Sequence, residues 1–155
     1  MTATNHVLTG CVFVALVVTK VPLWVVLPGA FLLHFVLDAL PHFGQTGSQY
    51  WAKNLARLWW LLPADASVAA SILMLVITYR PEHWLTIVAG GILCASPDLW
   101  SVRRYFRFIK KGNAAPGSDW FSQFHQNIQW GERLWGAWVE LAWFVSVGAV
   151  LVTRL

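Results

Sequence analysis

Leu33-His34-Phe35-Val36-Leu37-Asp38-Ala39-Leu40-Pro41-His42 decides how this chain is read. An imidazole, a carboxylate and a second imidazole follow at steps of four in a segment otherwise apolar enough to span a membrane. Such steps keep side chains on neighbouring turns of one helix face, about 6 Å apart along the axis. Ionisable groups are costly in hydrocarbon, so their presence there points to function. Three ligand-type side chains fanning from one edge suit a metal site. The competing reading is a buried polar pair in which His34 and Asp38 hydrogen-bond each other.

The rest of the chain supplies the setting. Of its 155 residues 57% are hydrophobic and only 12% charged, whereas soluble domains carry roughly a quarter charged residues. That composition predicts an all-α protein, a polytopic membrane helical bundle of about five transmembrane helices with interfacial amphipathic helices. The spans fall at roughly 5–21, 22–41, 62–79, 83–101 and 134–153, within one integral membrane domain covering 1–155. Pro22 suits a helix first turn and Pro41 ends the second span. Residues 50–60, with Tyr50, Trp51, Trp59, Trp60, Lys53 and Arg57, read as an interfacial segment. Gly90-Gly91 predicts close helix packing in the fourth span. Cys11 and Cys94 lie in apolar runs and read as buried thiols. The first span lacks a basic flank and a small-residue cleavage site, and so reads as retained.

The net charge of +4 carries topology, not nucleic-acid affinity. Lys53, Arg57, Arg103, Arg104, Arg107, Lys110, Lys111 and Arg133 fall on the side of the N-terminus, against Lys20, Arg80 and Arg154 opposite. The positive-inside rule makes the N-terminal side cytoplasmic. On a topology set by Lys and Arg alone, His6, His34, Asp38, His42, Asp65, Asp98, His125 and Glu140 all fall at that same level. Only Glu82 and His83 lie clearly opposite. That convergence favours one shared polar site over scattered pairs.

Each residue has a plainer reading too. Asp65, after Pro63, serves either as a helix-start carboxylate stabilised by the dipole or as a catalytic base. Asp98 follows Pro97 near a helix end, where a carboxylate gains nothing from the dipole, so it needs a partner. Cys94, four residues earlier, reads as core. His6 is either a frayed terminal residue or a ligand. Glu140 is intramembrane and must pair, with Arg133 or with a site cation. His125 belongs to a segment with Trp120, Phe121, Phe124 and Ile128 on one side and Ser122, His125 and Gln129 on the other. As an interfacial helix, that segment turns His125 either to water or to the site. Arg103, Arg104, Arg107, Lys110 and Lys111 form the basic face of an amphipathic surface helix, placed to meet anionic lipid headgroups. No glycine-rich phosphate loop, nucleophile elbow, C-x-x-C pair or H-E-x-x-H occurs.

Gly29-Ala30-Phe31-Leu32-Leu33-His34-Phe35-Val36-Leu37-Asp38 resembles the helix ending in H-x-x-x-D of membrane-bound metal-dependent hydrolases of the LexA-regulated inner-membrane type. Asn5-His6-Val7-Leu8-Thr9-Gly10 resembles that family's histidine near the start of its first span, and Ser96-Pro97-Asp98 its Pro-Asp motif at a helix end. The resemblance implies ligand roles for His6, His34, Asp38 and Asp98, and a bacterial inner (plasma) membrane location. The family's H-R-G-x-T-H-S stretch is absent, which leaves His42, Asp65 and His125 to fill those places.

The sequence therefore predicts a divalent-metal site at the cytoplasmic end of the bundle. Its expected ligands are His6, His34, Asp38, His42, Asp98 and His125, with Asp65 as base or bridging carboxylate, and that many ligands leave room for two metals. Imidazole and carboxylate donors suit zinc, with manganese or iron also compatible. The expected activity is hydrolysis of a phosphoester or acyl bond in a lipid-like or headgroup-bearing substrate. The alternatives are a non-catalytic subunit of a membrane complex, with the glycine- and tryptophan-rich fifth span as its partner surface, or a metal or proton transporter. A transporter needs polar residues through the full depth of the bilayer, and the far halves of the spans are almost purely apolar.

Overall fold

Residues 7–17 hold no proline and no charge, and 23–39 follow a proline that sets the entry of a helix. In the computed structural model these stretches form α1 (Ala3–Val17) and α2 (Leu23–Ala39). Residues 1–44, 60–79, 81–111 and 119–155 are described, those of 101–111 by their backbone alone. Pro22 stands at the N-cap of α2. Leu40 leaves the helix with ψ 156°, the extended conformation that a following proline imposes. Next come β1 (His42–Phe43), α3 (Leu61–Tyr79), α4 (Trp84–Lys111), α5 (Trp120–Ile128), a 3₁₀ turn (Gln129–Gly131), β2 (Glu132–Arg133) and α6 (Gly136–Val152). The regular elements of the described residues are thus helices apart from one parallel strand pair, with His42 opposite Glu132 and Phe43 opposite Arg133.

α1 is the central strut. It packs on α2, α3, α4 and α6, while α2 also lies along α4. Every residue from Thr4 to Val12 is buried. Small residues make the closest approach between α1 and α4. A Cβ on Gly10 would meet Gly90 O and Cys94 Cβ at 2.6 Å, and one on Gly91 would meet Cys11 Sγ at 2.6 Å. The start of α6 packs as tightly on β1, since a Cβ on Gly136 would lie 2.1 Å from the carbonyl carbon of His42.

By length and apolarity α3, with 19 residues, is able to cross a membrane. Ala3–Val17, Leu23–Ala39, Trp84–Trp100 and Gly136–Val152 are apolar but shorter. Five full-length spans are therefore not reached on this measure. The fourth predicted span and the basic run behind it form one continuous helix, α4, not a span followed by a separate surface helix. The side chains of Arg103, Arg104, Arg107, Lys110 and Lys111, and the interfacial segment up to residue 59, lie outside the described residues. The outer faces are apolar: Trp24, Leu32, Val36, Met74, Leu85 and Trp138 are exposed. Several of the polar side chains point inward instead, among them His6, His34, Asp38, His125 and Glu140.

Candidate metal centre

Three helices build the site, and each delivers its residues for a local reason. α2 carries His34 and Asp38 one turn apart on its inner edge, both wholly buried. α4 carries Asp98 directly after Pro97. Proline has no amide hydrogen, so Leu93 O loses its helical donor, and the Ser96 hydroxyl donates to it at 2.8 Å. The next carbonyl, Cys94 O, accepts from His34 Nδ1 at 2.8 Å. A carbonyl can only accept, so this bond puts the His34 proton on Nδ1 and leaves the Nε2 lone pair facing inward. α5 carries His125. Its N-cap Asp119 accepts from Ser122 N at 2.9 Å and Ser122 Oγ at 2.7 Å, bonds that hold the Asp119 carboxyl below its ordinary pKa.

α5 turns its polar side inward. Ser122 and His125 are buried, whereas Trp120 and Phe124 face out. His125 therefore points into the site and not to water. Its Nε2 lies 2.8 Å from Asp38 Oδ2 and 2.9 Å from His34 Nε2. His34 Nε2 is 3.2 Å from Asp38 Oδ2. Asp98 Oδ1 stands slightly back, 3.8 Å from His34 Nε2 and 3.7 Å from His125 Nε2. His34, Asp38, Asp98 and His125 each offer one ligand atom, and these atoms all lie within 4.8 Å of one another. Such a group is able to hold a metal ion. The donor chemistry fits: with His34 Nε2 bare, the short contact between the two imidazoles needs either a shared proton or a cation between them.

His6, on α1, adjoins this group. It is wholly buried, stacks on His34 with ring centroids 4.0 Å apart, and sets Nε2 3.1 Å from Asp38 Oδ1. The amino group of Met1 lies against the same oxygen. Gln129, one turn beyond His125, donates from Nε2 to Asp38 Oδ2 at 3.1 Å. The sequence places Gln129 on the same polar side as His125 without assigning it a role, and the structure sets it in the 3₁₀ turn that follows α5.

His42 stands apart. Its Nδ1–H donates to Leu40 O at 2.8 Å, and its Nε2 is 4.0 Å from Glu132 Oε1. Burial lowers the His42 pKa and raises that of Glu132. Among the described residues Glu140 makes no ion pair with Arg133. Its Oε1 accepts from Phe43 N at 3.0 Å and its Oε2 from Thr2 N at 3.1 Å, tying α6 to β1 and to the start of α1.

Asp65 also stands apart. Its oxygens accept from the amides of Ala3 at 2.8 Å and Thr4 at 3.0 Å. It caps α1, whose own Thr2 makes no side-chain cap. Losing a cap of this kind costs about 1–2 kcal/mol. Asp65→Ala is therefore expected to lower the thermal unfolding midpoint and to leave unchanged whatever metal the protein binds. Metal loss from a variant that stays folded would return Asp65 to the site.

No protein-family model, curated protein or solved structure matches this chain.

Proposed function

We propose that this chain is a membrane-embedded, metal-dependent hydrolase that cleaves a phosphoester or acyl bond in a lipid-like or headgroup-bearing substrate. The convergence of His34, Asp38, Asp98 and His125 from three helices on one point carries this reading. The motif resemblance to the inner-membrane hydrolases supports it. A nitrogen and oxygen donor set without thiolate suits zinc, with manganese or iron also compatible. A divalent cation bound there supplies Lewis acidity and a lowered pKa for water.

The chain's own residues do the rest. His34 and His125 present Nε2 atoms, and Asp38, fixed by several donors, orients both. Asp98 is the most open member, its side chain 30% exposed. It is the carboxylate on the side from which substrate reaches the centre. Beside it lies a groove of about 500 Å³ lined by Phe31, Ser96, Pro97, Leu99, Trp100 and Phe121. Pro97 adjoins Asp98 in sequence, and the Phe121 ring centroid lies 6.1 Å from that of His125. An acyl chain lying in this apolar groove brings its headgroup to the centre.

A bilayer setting is supported by the outward apolar side chains around an inward polar cluster, the arrangement expected when the solvent is lipid. On this reading the helices span a bacterial inner membrane as five segments with the N-terminus cytoplasmic, and the basic run 103–111 meets anionic headgroups. Away from the centre the buried core of the described residues is lined by Val12, Val14, Val26, Val76, Ile87 and Leu151, apolar side chains that do not favour a transported ion.

The test is hydrolysis of phosphomonoester and acyl-ester amphiphiles in mixed micelles by the purified, metal-supplemented protein. Second-sphere losses at metal sites already cost about 10–100-fold. The expected result is turnover abolished by chelator and reduced at least about 100-fold by Asp98→Asn and His125→Ala. Absence of chelator-sensitive turnover on both substrate classes contradicts the proposal.

A further inference from the structure

Asp38 and Asp98 divide their oxygens in the same sense. Oδ2 of Asp38 faces His34 Nε2 at 3.2 Å and His125 Nε2 at 2.8 Å, while its Oδ1 faces His6 Nε2 at 3.1 Å. Oδ1 of Asp98 faces the His34 and His125 Nε2 atoms at 3.8 and 3.7 Å, while its Oδ2 faces His6 Nε2 at 3.8 Å. Both carboxylates thus stand between two imidazole sets, with one oxygen turned to each. A single cation would use one oxygen from each and leave the other pair converging on His6.

The stacking of His6 on His34 sets the spacing. Their rings lie 4.0 Å apart and within 23° of parallel, so the two imidazoles present themselves side by side. Paired catalytic cations sit about 3.5–4 Å apart, the same interval. The His6 side already holds positive charge, because the Met1 amino group lies against Asp38 Oδ1 there. A metal on that side takes over this position.

We propose that the centre is dinuclear. Asp38 and Asp98 bridge two divalent cations, one capped by His34 and His125 and the other by His6. The proposal rests on the metal-site reading above and adds a second cation to it. It assigns to His6 a ligand role that the four-residue group does not need.

Titration of the full chain with Mn²⁺ in detergent, followed by electron paramagnetic resonance and equilibrium dialysis, tests it. The expected result is two Mn²⁺ per chain, with the isolated-ion spectrum replaced by an exchange-coupled one as the second binds. His6→Ala is expected to weaken the second equivalent by about 10–100-fold or more, to leave the first bound and to remove the coupling. One Mn²⁺ per chain without coupling, in the unaltered protein, overturns the dinuclear centre and leaves the single-metal reading standing. No bound Mn²⁺ or Zn²⁺ overturns both. Two coupled ions that persist in His6→Ala overturn the assignment of His6. The spectrum of the unaltered chain decides the count even if His6→Ala fails to fold.

Discussion

Asp38→Asn is expected to abolish metal binding. The carboxylate is wholly buried, accepts from Gln129 Nε2 and the Met1 amino group, and has Nε2 of His6, His34 and His125 within 3.2 Å. Asparagine keeps the shape, but removes the charge and replaces one acceptor oxygen with an NH₂ donor. That donor then faces the Met1 amino group or Gln129 Nε2, which are themselves donors, or a cation. Removing one partner from a buried charged pair costs about 3–5 kcal/mol, so a fall in folding stability accompanies the loss of metal. The two effects separate in one experiment. Ligand that binds only the folded state raises the unfolding midpoint by mass action. Chelator should therefore lower the midpoint of the unaltered chain and leave that of Asp38→Asn unchanged. A variant whose midpoint still falls with chelator has kept its metal, and Asp38 is then not the hub.

Gly10→Ala is expected to destabilise the bundle by about 1–3 kcal/mol, the usual cost of overpacking. The sign is informative. In an exposed helix interior, replacing glycine by alanine gains roughly 0.5–1 kcal/mol. At Gly10 the new Cβ meets Gly90 O and Cys94 Cβ at 2.6 Å, so backbone must move and the gain is overridden. His6 lies one turn away on α1 and Asp98 one turn beyond Cys94 on α4, so separating the helices also draws the site apart. Gly148→Ala is the control, because a Cβ there meets nothing within 4 Å. Thermal unfolding in detergent should show a lowered midpoint for Gly10→Ala and an unchanged or raised one for Gly148→Ala. Equal behaviour of the two contradicts the close approach of α1 and α4.

How much of this is visible in the chain itself differs from residue to residue. The His34–Asp38 step is local: helical periodicity alone puts both on one edge, and a polar pair in an apolar run announces itself. Gly90-Gly91 is equally local, since small residues in an apolar helix have few other uses. The facing of α5 is not local. Its two sides are plain from periodicity, but whether the polar side meets water or protein depends on what packs against it. In a bundle whose outer surface is apolar, the polar side turns in, and His125 and Gln129 come with it. Asp65 shows the same limit. A carboxylate near a helix start reads as a cap for its own helix, yet it caps α1, some sixty residues away in the chain. Two of the partners of Glu140, the amides of Thr2 and Phe43, are backbone groups that no side-chain pattern reveals, and the third, the Asn5 side chain, lies 135 residues away in the chain. The tautomer of His34 depends on a carbonyl beside Pro97, and only the packing of α2 on α4 brings that carbonyl within reach.

Metal analysis of the detergent-purified, unaltered chain beside Asp38→Asn, after both have been incubated with zinc, manganese or iron and freed of loose ions, decides whether the buried imidazoles and carboxylates hold a cation. Near-stoichiometric or higher metal in the unaltered chain, and none in the variant, is the predicted result. Negligible metal in both proteins would mean that His34, Asp38, Asp98 and His125 form only a hydrogen-bonded polar core, with no metal centre.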